Sequence, residues 1–579
     1  RYYQAPKFVV ERWKLKDDPT QLRQEVTTTL YDDHGNQTLE LQPDGVFTVS
    51  EYYEAGEQDG CPADPLGFKR SLAKRTVYPS GTQPPSWVPP EDMPATVPAP
   101  VAVESGAPIM TTYLRYQLFD MLSEESRLVG APSQYLVEES ITECSGLGDD
   151  ERLLERTTQG YHHAPDQPAL HGRQITEEKI LYNPQAKGLL ASEEKVSTRW
   201  SYPGATTKKR EAPLEIKETV TCRGVQKSFV RSVSSLTGQT LMEQDVHGVA
   251  IEYEYDALQR VIKQTLAAGS PNASVRSYSY RLVAAEGQQA GMTVTDPSNV
   301  VTHTFYDGLN RAISQTRQTE NAEQPQLVYE AMHDALGQLI RDTTYDYHPR
   351  LKGGMLAIDT HYSYDAWGEL CETLNADGTR QHTAFSPFGT QGDMVANWMT
   401  SPTQPELRQH FTLIQSNLKE KPWQIERFDA GRKQVARQNF FYDGLGQSTR
   451  EEQRIRDPES NNETLTVSKY QYDEYGRMTY TERPDGTAMS RTFAPHSRNE
   501  LVETMYVHEK RKGKRTLAAG ELAHARTYDG QERMLTFSDG KRTEHYEYKD
   551  KAGNDSEQQL ASKRITPSER EFNFTYDPT

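Results

Sequence analysis

One turn recurs along this chain, and a unit repeated this often commits it to an array of like pieces. It is Tyr-Asp (once His-Asp), then a short, usually Gly-containing turn, then Arg, Gln or Glu. It appears as Tyr255-Asp256-Ala257-Leu258-Gln259-Arg260 and as Tyr306-Asp307-Gly308-Leu309-Asn310-Arg311. His333-Asp334-Ala335-Leu336-Gly337-Gln338 and Tyr364-Asp365-Ala366-Trp367-Gly368-Glu369 follow. Next come Tyr442-Asp443-Gly444-Leu445-Gly446-Gln447 and Tyr472-Asp473-Glu474-Tyr475-Gly476-Arg477. Shorter copies stand at Tyr528-Asp529-Gly530 and Tyr576-Asp577, and an early one at Tyr31-Asp32-Asp33-His34-Gly35-Asn36.

Each copy reads as a β-hairpin. Alternating or aromatic residues precede it (Ile251, Tyr253, Tyr255; Tyr470, Tyr472), and a second short strand follows, such as Arg477-Met478-Thr479-Tyr480. Asp suits the turn because its carboxylate bonds nearby backbone N–H groups, and Gly supplies positive φ. A second turn alternates with the first, as at Pro43-Asp44-Gly45, Asn375-Ala376-Asp377-Gly378, Pro484-Asp485-Gly486 and Ser538-Asp539-Gly540. The expected unit is strand, Tyr-Asp turn, strand, Asp-Gly turn, strand. Tyr364 to Phe385 and Tyr472 to Phe493 hold it complete.

These residues resemble the YD-repeat, or RHS-repeat, family, most specifically where both turns occur together. Clear copies cover roughly residues 240 to 579. The resemblance implies an all-β fold: one long antiparallel sheet of YD/RHS hairpin repeats spiralling into a hollow shell. Family members include bacterial polymorphic toxins, the B and C components of insecticidal toxin complexes, type VI secretion effectors and the animal teneurins. By that likeness the chain encapsulates a C-terminal toxin fragment, works with secretion or delivery machinery, and has an immunity protein or chaperone as a further partner. Self-cleaving members carry an aspartyl-protease-like core after the repeats. No matching motif occurs here, so the resemblance places that core and the toxin beyond Thr579. A sheet has two edges that template aggregation; a spiral whose coils pair with one another is expected to remove most of them.

Composition agrees with a thin sheet. At 579 residues the chain exceeds what one core usually supports, yet only 35% of it is hydrophobic. Its 32 tyrosines outnumber its 16 phenylalanines, which suits half-exposed strands where a ring packs and a hydroxyl meets water. The net charge of −18 argues against nucleic acid or anionic membrane as partner; it suits a solvated acidic surface, or an inner wall around a basic cargo. Cys61, Cys144, Cys222 and Cys371 are too few and too scattered for a disulfide scaffold and read as free thiols from a reducing cytoplasm. No apolar run approaches a membrane span, and no signal peptide is visible. The expected setting is synthesis in a bacterial cytoplasm followed by secretion or delivery to a target cell. The lack of an initial Met and the stop at Tyr576-Asp577-Pro578-Thr579 read as cut ends.

Four stretches are expected. Residues 1–82 are strand-rich and form the N-terminal part of the shell. Residues 83–108, with seven prolines between Pro84 and Pro100, form a linker or loop. Residues 109–240 are β-rich degenerate repeats, and residues 241–579 are the YD/RHS repeats. Two segments, Thr111 to Ser126 and Pro405 to Lys419, carry enough helical periodicity to predict short helices.

No enzyme is expected within this chain. A glycosidase needs two carboxylates facing across a sugar, whereas Asp256, Asp307, Asp365, Asp443 and Asp473 all occupy one place in a repeated turn, where capping explains them. The residues singled out are therefore structural: Tyr255, Asp256, Tyr306, Asp307, Gly308, Tyr364, Asp365, Gly368, Tyr442, Asp443, Gly446, Tyr472, Asp473, Gly476 and Arg477. No catalytic, cofactor or metal residue is assigned. His162-His163 has no third ligand; His303, His333 and His361 read as core or surface histidines. Lys352-Gly353-Gly354 and Lys512-Gly513-Lys514 are too short for phosphate loops, and Lys510 to Arg515 reads as a solvated loop. The alternatives weighed are a tyrosine-rich binding module recognising glycans or a cell-surface partner, and a right-handed β-helix carbohydrate enzyme. The latter would show stacked ladders and one isolated acidic cluster, which this sequence lacks.

Overall fold

The computed structural model describes residues 5–15, 18, 20–100, 103, 107–123, 134–145, 151–182, 194–205, 213–283, 287–320, 322–347, 354–457, 459–509, 520–548 and 560–574, with backbone alone for 134–145 and 151–152. Tyr576-Asp577, Lys352-Gly353, Lys510 to Arg515 and the Cys144 side chain lie outside the described residues.

Among the described residues every regular element is a strand. The first twelve are β1 (Phe8–Lys14), β2 (Leu22–Tyr31), β3 (Gln37–Leu41), β4 (Phe47–Tyr52), β5 (Leu72–Tyr78), β6 (Ile109–Asp120), β7 (Gln134–Ser145), β8 (Glu151–Tyr161), β9 (Gln174–Leu181), β10 (Glu194–Ser201), β11 (Leu214–Cys222) and β12 (Val225–Val233). The next twelve are β13 (Thr240–Gln244), β14 (Ala250–Tyr255), β15 (Val261–Leu266), β16 (Ser274–Arg281), β17 (Ala290–Thr295), β18 (Val301–Tyr306), β19 (Ala312–Gln318), β20 (Gln326–His333), β21 (Leu339–Tyr347), β22 (Met355–Tyr364), β23 (Leu370–Leu374) and β24 (Arg380–Ser386). The rest are β25 (Met394–Ser401), β26 (Gln404–Ser416), β27 (Pro422–Phe428), β28 (Gln434–Tyr442), β29 (Ser448–Arg456), β30 (Glu463–Tyr472), β31 (Met478–Glu482), β32 (Ala488–Phe493), β33 (Val502–His508), β34 (Glu521–Tyr528), β35 (Met534–Ser538), β36 (Thr543–Glu547), β37 (Ser562–Thr566) and β38 (Arg570–Asn573).

All belong to one 38-stranded sheet, and each strand pairs antiparallel with the strand before it and the strand after it. The chain is thus a single meander. Turns after even-numbered strands fall on one rim, here the lower, and turns after odd-numbered strands on the other, the upper. Among the described residues every Tyr-Asp turn lies on the lower rim, and the Asp-Gly turns lie on the upper.

Neither expected helix forms. Thr111 falls in β6, which pairs with β7 along all of its 12 residues. Its buried Thr111 and Leu114 are three apart, which imitates a helical stripe. Pro405 to Lys419 is mostly β26. The register against β25 slips near Met399, and His410 takes φ 53°. That irregularity places Arg408 and Phe411 against the same Trp398 ring, again at a three-residue spacing.

The ribbon returns on itself at a fixed interval. The turn after β3 meets the turn after β26, where Lys419 Nζ lies 2.6 Å from Asp44 Oδ2. The loop after β5 meets the turn after β28, where the Ser80 N–H donates to the Gly444 carbonyl at 3.0 Å. The turn after β11 meets the turn after β34, where Gln531 Nε2 donates to the Gln226 carbonyl at 2.7 Å. The offset is 23 strands each time. An odd offset is required, because it sets the lower rim of one coil on the upper rim of the coil before it. The expectation that coils pair strand to strand is corrected: coils meet through turn tips, and among the described strands β1 and β38 each pair on one side only. A meander leaves its strands' hydrogen bonds satisfied along the ribbon, so only loop tips remain to join coils.

The sheet is one layer thick over most of its length. Between Val246 and Ala488 the only apolar side chain buried among the described residues is Pro387. Buried apolar residues gather instead in β2–β11 (Val26, Phe47, Leu154, Leu214) and near the seam (Phe493, Tyr528). Cross-strand pairs do the work of a core. Gln424 bonds Gln415 and Asn439 on either side at 3.0 Å, and His382, Trp398 and Phe411 stack at 5.0 and 5.9 Å across three strands. The proline-rich stretch packs on this sheet: Val97 and Gln24 exchange backbone hydrogen bonds, and Trp87 meets Phe47 edge-on.

Candidate functional site

The lower rim is built from one five-residue device. In the first clear copy the Asp256 N–H donates to the Arg260 carbonyl, and the Gln259 N–H to the Asp256 carbonyl, both at 2.9 Å. Asp256 Oδ1 accepts the N–H groups of Leu258 and Arg260 at 2.9 Å. Gln259, at the fourth position, takes φ 63°. This is a type I turn closed by a left-handed residue, which bulges the hairpin and slips the register just before Tyr255. The geometry repeats at Asp32, Asp307, Asp334, Asp365, Asp443, Asp473 and Asp529. Gly368, Gly446 and Gly476 hold the fourth position with φ of 84°, 84° and 80°, while Asn310 holds it at 63° and leaves Gly308 at the open second position. The upper-rim turns share this backbone. At Asp377 and Asp485 the carboxylate sits at the third position, accepting from the Thr379 and Thr487 N–H groups and hydroxyls.

An arginine at the fifth position completes the device in four copies. Arg260, Arg311, Arg477 and Arg533 each turn back on the carboxylate of their own turn at 2.6–2.8 Å. The Arg311 hydrogen bonds, from guanidinium and then backbone, bring the Asp307 carboxyl down to about 2. The Arg260 side chain and N–H lower Asp256 likewise.

In four copies the tyrosine before the Asp is a latch. Its hydroxyl reaches back over the preceding strand and donates to the carbonyl of that strand's first residue. Tyr255 meets Thr240 at 2.6 Å, Tyr364 meets Leu339 at 2.9 Å, Tyr442 meets Pro422 at 2.6 Å, and Tyr528 meets Val502 at 3.0 Å. The same latch joins Tyr52 to Gln37, Tyr116 to Leu72, Tyr202 to Gln174, Tyr280 to Val261 and Tyr548 to Met534. Sequence reading passed over those five, because none stands before an Asp turn. The available signal was a Tyr near the end of most even-numbered strands. Burial raises the Tyr442 hydroxyl to about 12, so it stays a donor.

Sequence reading singled out one class of turn; the fold divides it in two. The turns at Asp256, Asp307, Asp334 and Asp365 stand free on the lower rim, their third-position residues exposed. Those at Asp443, Asp473 and Asp529 are seated on the coil below. Gly444 packs so closely that a Cβ there would lie 2.5 Å from the Ser80 carbonyl oxygen, and one at Gly530 would overlap the Cys222 carbonyl. Tyr475 passes its hydroxyl to the carbonyls of Leu154 and Tyr182 at 2.5 and 3.0 Å. Burial, with Glu155 beside it, raises that hydroxyl to about 12. Arg498 reaches Glu155 at 3.2 Å.

No group of three His, Cys, Asp or Glu among the described residues has metal-holding geometry. His163 bonds Asp120 at 3.1 Å, His303 bonds Thr293 at 2.8 Å, and Cys61, Cys222 and Cys371 are free. A recess of about 400 Å³ between Asp44, Lys419, Trp423 and Tyr442 lies along the seam.

No family model and no curated protein sequence matches the chain. Among solved structures the chain is similar to a TcdB2-TccC3 complex at 12% identity and TM-score 0.29, over 99% of this chain and 41% of that one. A TcdB2-TccC3 complex without its hypervariable C-terminal region aligns at 10% identity and TM-score 0.29, over 99% and 42%. A Photorhabdus luminescens Tc holotoxin pore with a mutation in TccC3 aligns at 10% and 0.29, over 98% and 42%. The chain spans about two fifths of the length of each. Superposition at that level is loose, and the fold stands on the strand pairing itself.

Proposed function

We propose that this chain is a length of wall in a hollow β-shell that sequesters a polypeptide cargo, the role of the shell in bacterial RHS toxins and toxin complexes, and that the segment has no catalysis of its own. One observation carries the reading: the ribbon closes on itself every 23 strands, yet between Val246 and Ala488 the only apolar side chain buried among the described residues is Pro387. A closed wall with no packed interior encloses space. At about 4.8 Å per strand, 23 strands give a perimeter of about 110 Å and about 35 Å across at the backbone, or about 25 Å between facing side chains. A folded 100-residue domain, with a radius of gyration of about 13 Å, is roughly 34 Å wide. A cargo of that size would therefore be held partly unfolded, shielded from proteases and from its targets until release.

The test is small-angle scattering and cryo-EM of the protein as its cell makes it, followed by trypsin digestion. The expected result is a hollow particle with weak internal density and a cargo cut only after the shell is opened. A collapsed or solid particle, or a cargo folded and active inside an intact wall, overturns the reading.

A further inference from the structure

The loop between β32 and β33 buries a histidine that no repeat motif accounts for. His496 is 4% exposed, and neither ring nitrogen makes a well-formed hydrogen bond, although the Asp529 main chain lies beside it. It sits at a joint between coils. Its own loop reaches down through Arg498 to Glu155 at 3.2 Å, and Arg223 of the coil below reaches up to the Tyr528 carbonyl at 3.4 Å. Arg223 and Glu194 of the coil below, and Glu532 of its own coil, are its charged neighbours. The carboxylates there are engaged. Glu194 holds Arg223 at 2.5 Å, Asp529 holds Arg533 at 2.7 Å, and Glu532 accepts the Ser497 hydroxyl and the Asn499 amide at 2.5 and 2.9 Å. Burial keeps the free Cys222 a neutral thiol. A neutral imidazole suits this place. An imidazolium would be a further cation set beside Arg223 in a site closed to water.

We infer that His496 makes this joint acid-labile: the joint is closed around a neutral imidazole, and protonation parts residues 494–501 from the coil below. Burial first, and Arg223 second, hold the ring below its ordinary value of 6.5. A histidine depressed on closure takes its proton more readily when the joint is open. Its contribution to closure is therefore complete above 6.5 and is lost as pH falls below that value. Glu503, which faces Arg223 and Glu194, has the opposite sign, because burial raises its carboxyl above 4.5 and acid relieves that cost. His524, buried beside Arg526 within β34, is depressed like His496. The Asp44 to Lys419 joint is a lysine–carboxylate pair and is expected to hold over the same range. The inference needs the joint alone and is independent of any cargo.

Two measurements on the protein purified from its producing cell test it. Amide exchange, corrected for the intrinsic effect of pH, should show protection of the β11–β12 hairpin and of residues 494–501 falling several-fold from about pH 7.5 to about pH 5, with the β3–β4 hairpin unchanged. His496→Gln should abolish that fall, which separates His496 from His524 and Glu503. Exchange of the imidazole C2 hydrogens, read by mass spectrometry in the unaltered chain, should give His496 a slow rate and a midpoint below 6.5, and it needs no variant to fold. Equal protection at both pH values, a fall that persists in His496→Gln, or a His496 midpoint at or above 6.5 overturns the inference.

Discussion

The turn at Asp307 and the turn at Asp473 are built alike, with the same five-residue backbone, the same carboxylate cap and the same arginine returning to it. Their surroundings differ. The Arg477 and Asp473 side chains are 4% and 2% exposed, those of Arg311 and Asp307 27% and 21%. Arg477 also donates to the Ser497 carbonyl at 2.9 Å and lies 4.6 Å from the Phe493 ring centre. The motif therefore fixes the hairpin, and position along the spiral decides whether that hairpin is a loop tip or a joint.

The largest contrast is at the glycines in the second turn position. Gly530→Val drives a side chain into the backbone carbonyl of Cys222, which cannot rotate away, while Gly308→Val meets open space. The first should cost upward of about 5 kcal/mol and part the coils locally, since steric conflict with fixed backbone belongs to the severe class of substitutions; the second should fall within about 0.5 kcal/mol. Hydrogen exchange at the β11–β12 hairpin reads the difference. Equal protection in both variants would mean that Gly530 is not a seat.

Next is the buried ion pair. Asp473→Asn leaves the Arg477 guanidinium buried without its counter-charge, at an expected cost of about 3–5 kcal/mol. Increased exchange in β30 and β31 and a lowered unfolding midpoint would register it. If Asp473→Asn proved no worse than Asp307→Asn, the division into seated and free turns would lose its energetic content.

A smaller effect belongs to the seam's tyrosine. Tyr475→Phe removes one hydroxyl shared by two main-chain carbonyls and should cost about 1–2 kcal/mol, more than the single latch lost in Tyr364→Phe. It also has a pH signature. Burial raises the Tyr475 hydroxyl from 10.0 to about 12. A group raised on folding contributes stability that is complete below its unfolded value and fades as pH climbs through the folded one. Seam stability should thus decline from pH 10 toward 12, and Tyr475→Phe should flatten that decline. An alkaline profile unchanged by the substitution would assign the loss to other groups.

Much of the local structure was legible from residues alone, because its causes are local. Tyr253, Tyr255 and Asp256 specify strand and turn within six residues, and an Asp in a turn explains itself through its own backbone neighbours. The seam was not legible. Lys419 finds Asp44 across 375 residues and Tyr475 finds Leu154 across 321, and nothing in either turn's sequence records a 23-strand offset. The latch was half legible: tyrosine abundance was plain, but the carbonyl each hydroxyl meets lies at the start of the preceding strand, beyond what a motif spells out. The two predicted helices failed for a shared reason. A bulged strand and a strand buried at three-residue spacing both counterfeit a helical stripe, and only pairing partners on both sides tell them apart.

The smallest effect isolates what a turn contributes when no coil lies beneath it. Asp307 is solvated, and hydrogen bonds from the Arg311 side chain and N–H bring its carboxyl from 3.8 to about 2. A carboxyl depressed on folding stabilises above its unfolded value, and that contribution fades as pH falls through the folded value. Rigidity of the β18–β19 hairpin should hold to about pH 4 and fade toward pH 2. The Asp307 carboxyl carbon should titrate in NMR near pH 2, and Arg311→Gln should move it back toward 3.8 without disturbing the Leu309 N–H bond to Oδ1. A midpoint already near 3.8 in the unaltered chain would mean that the arginine only decorates the free turn. The Asp carboxylate and its backbone partners would then close every hairpin on this rim, and the arginine would act only where a second coil buries it.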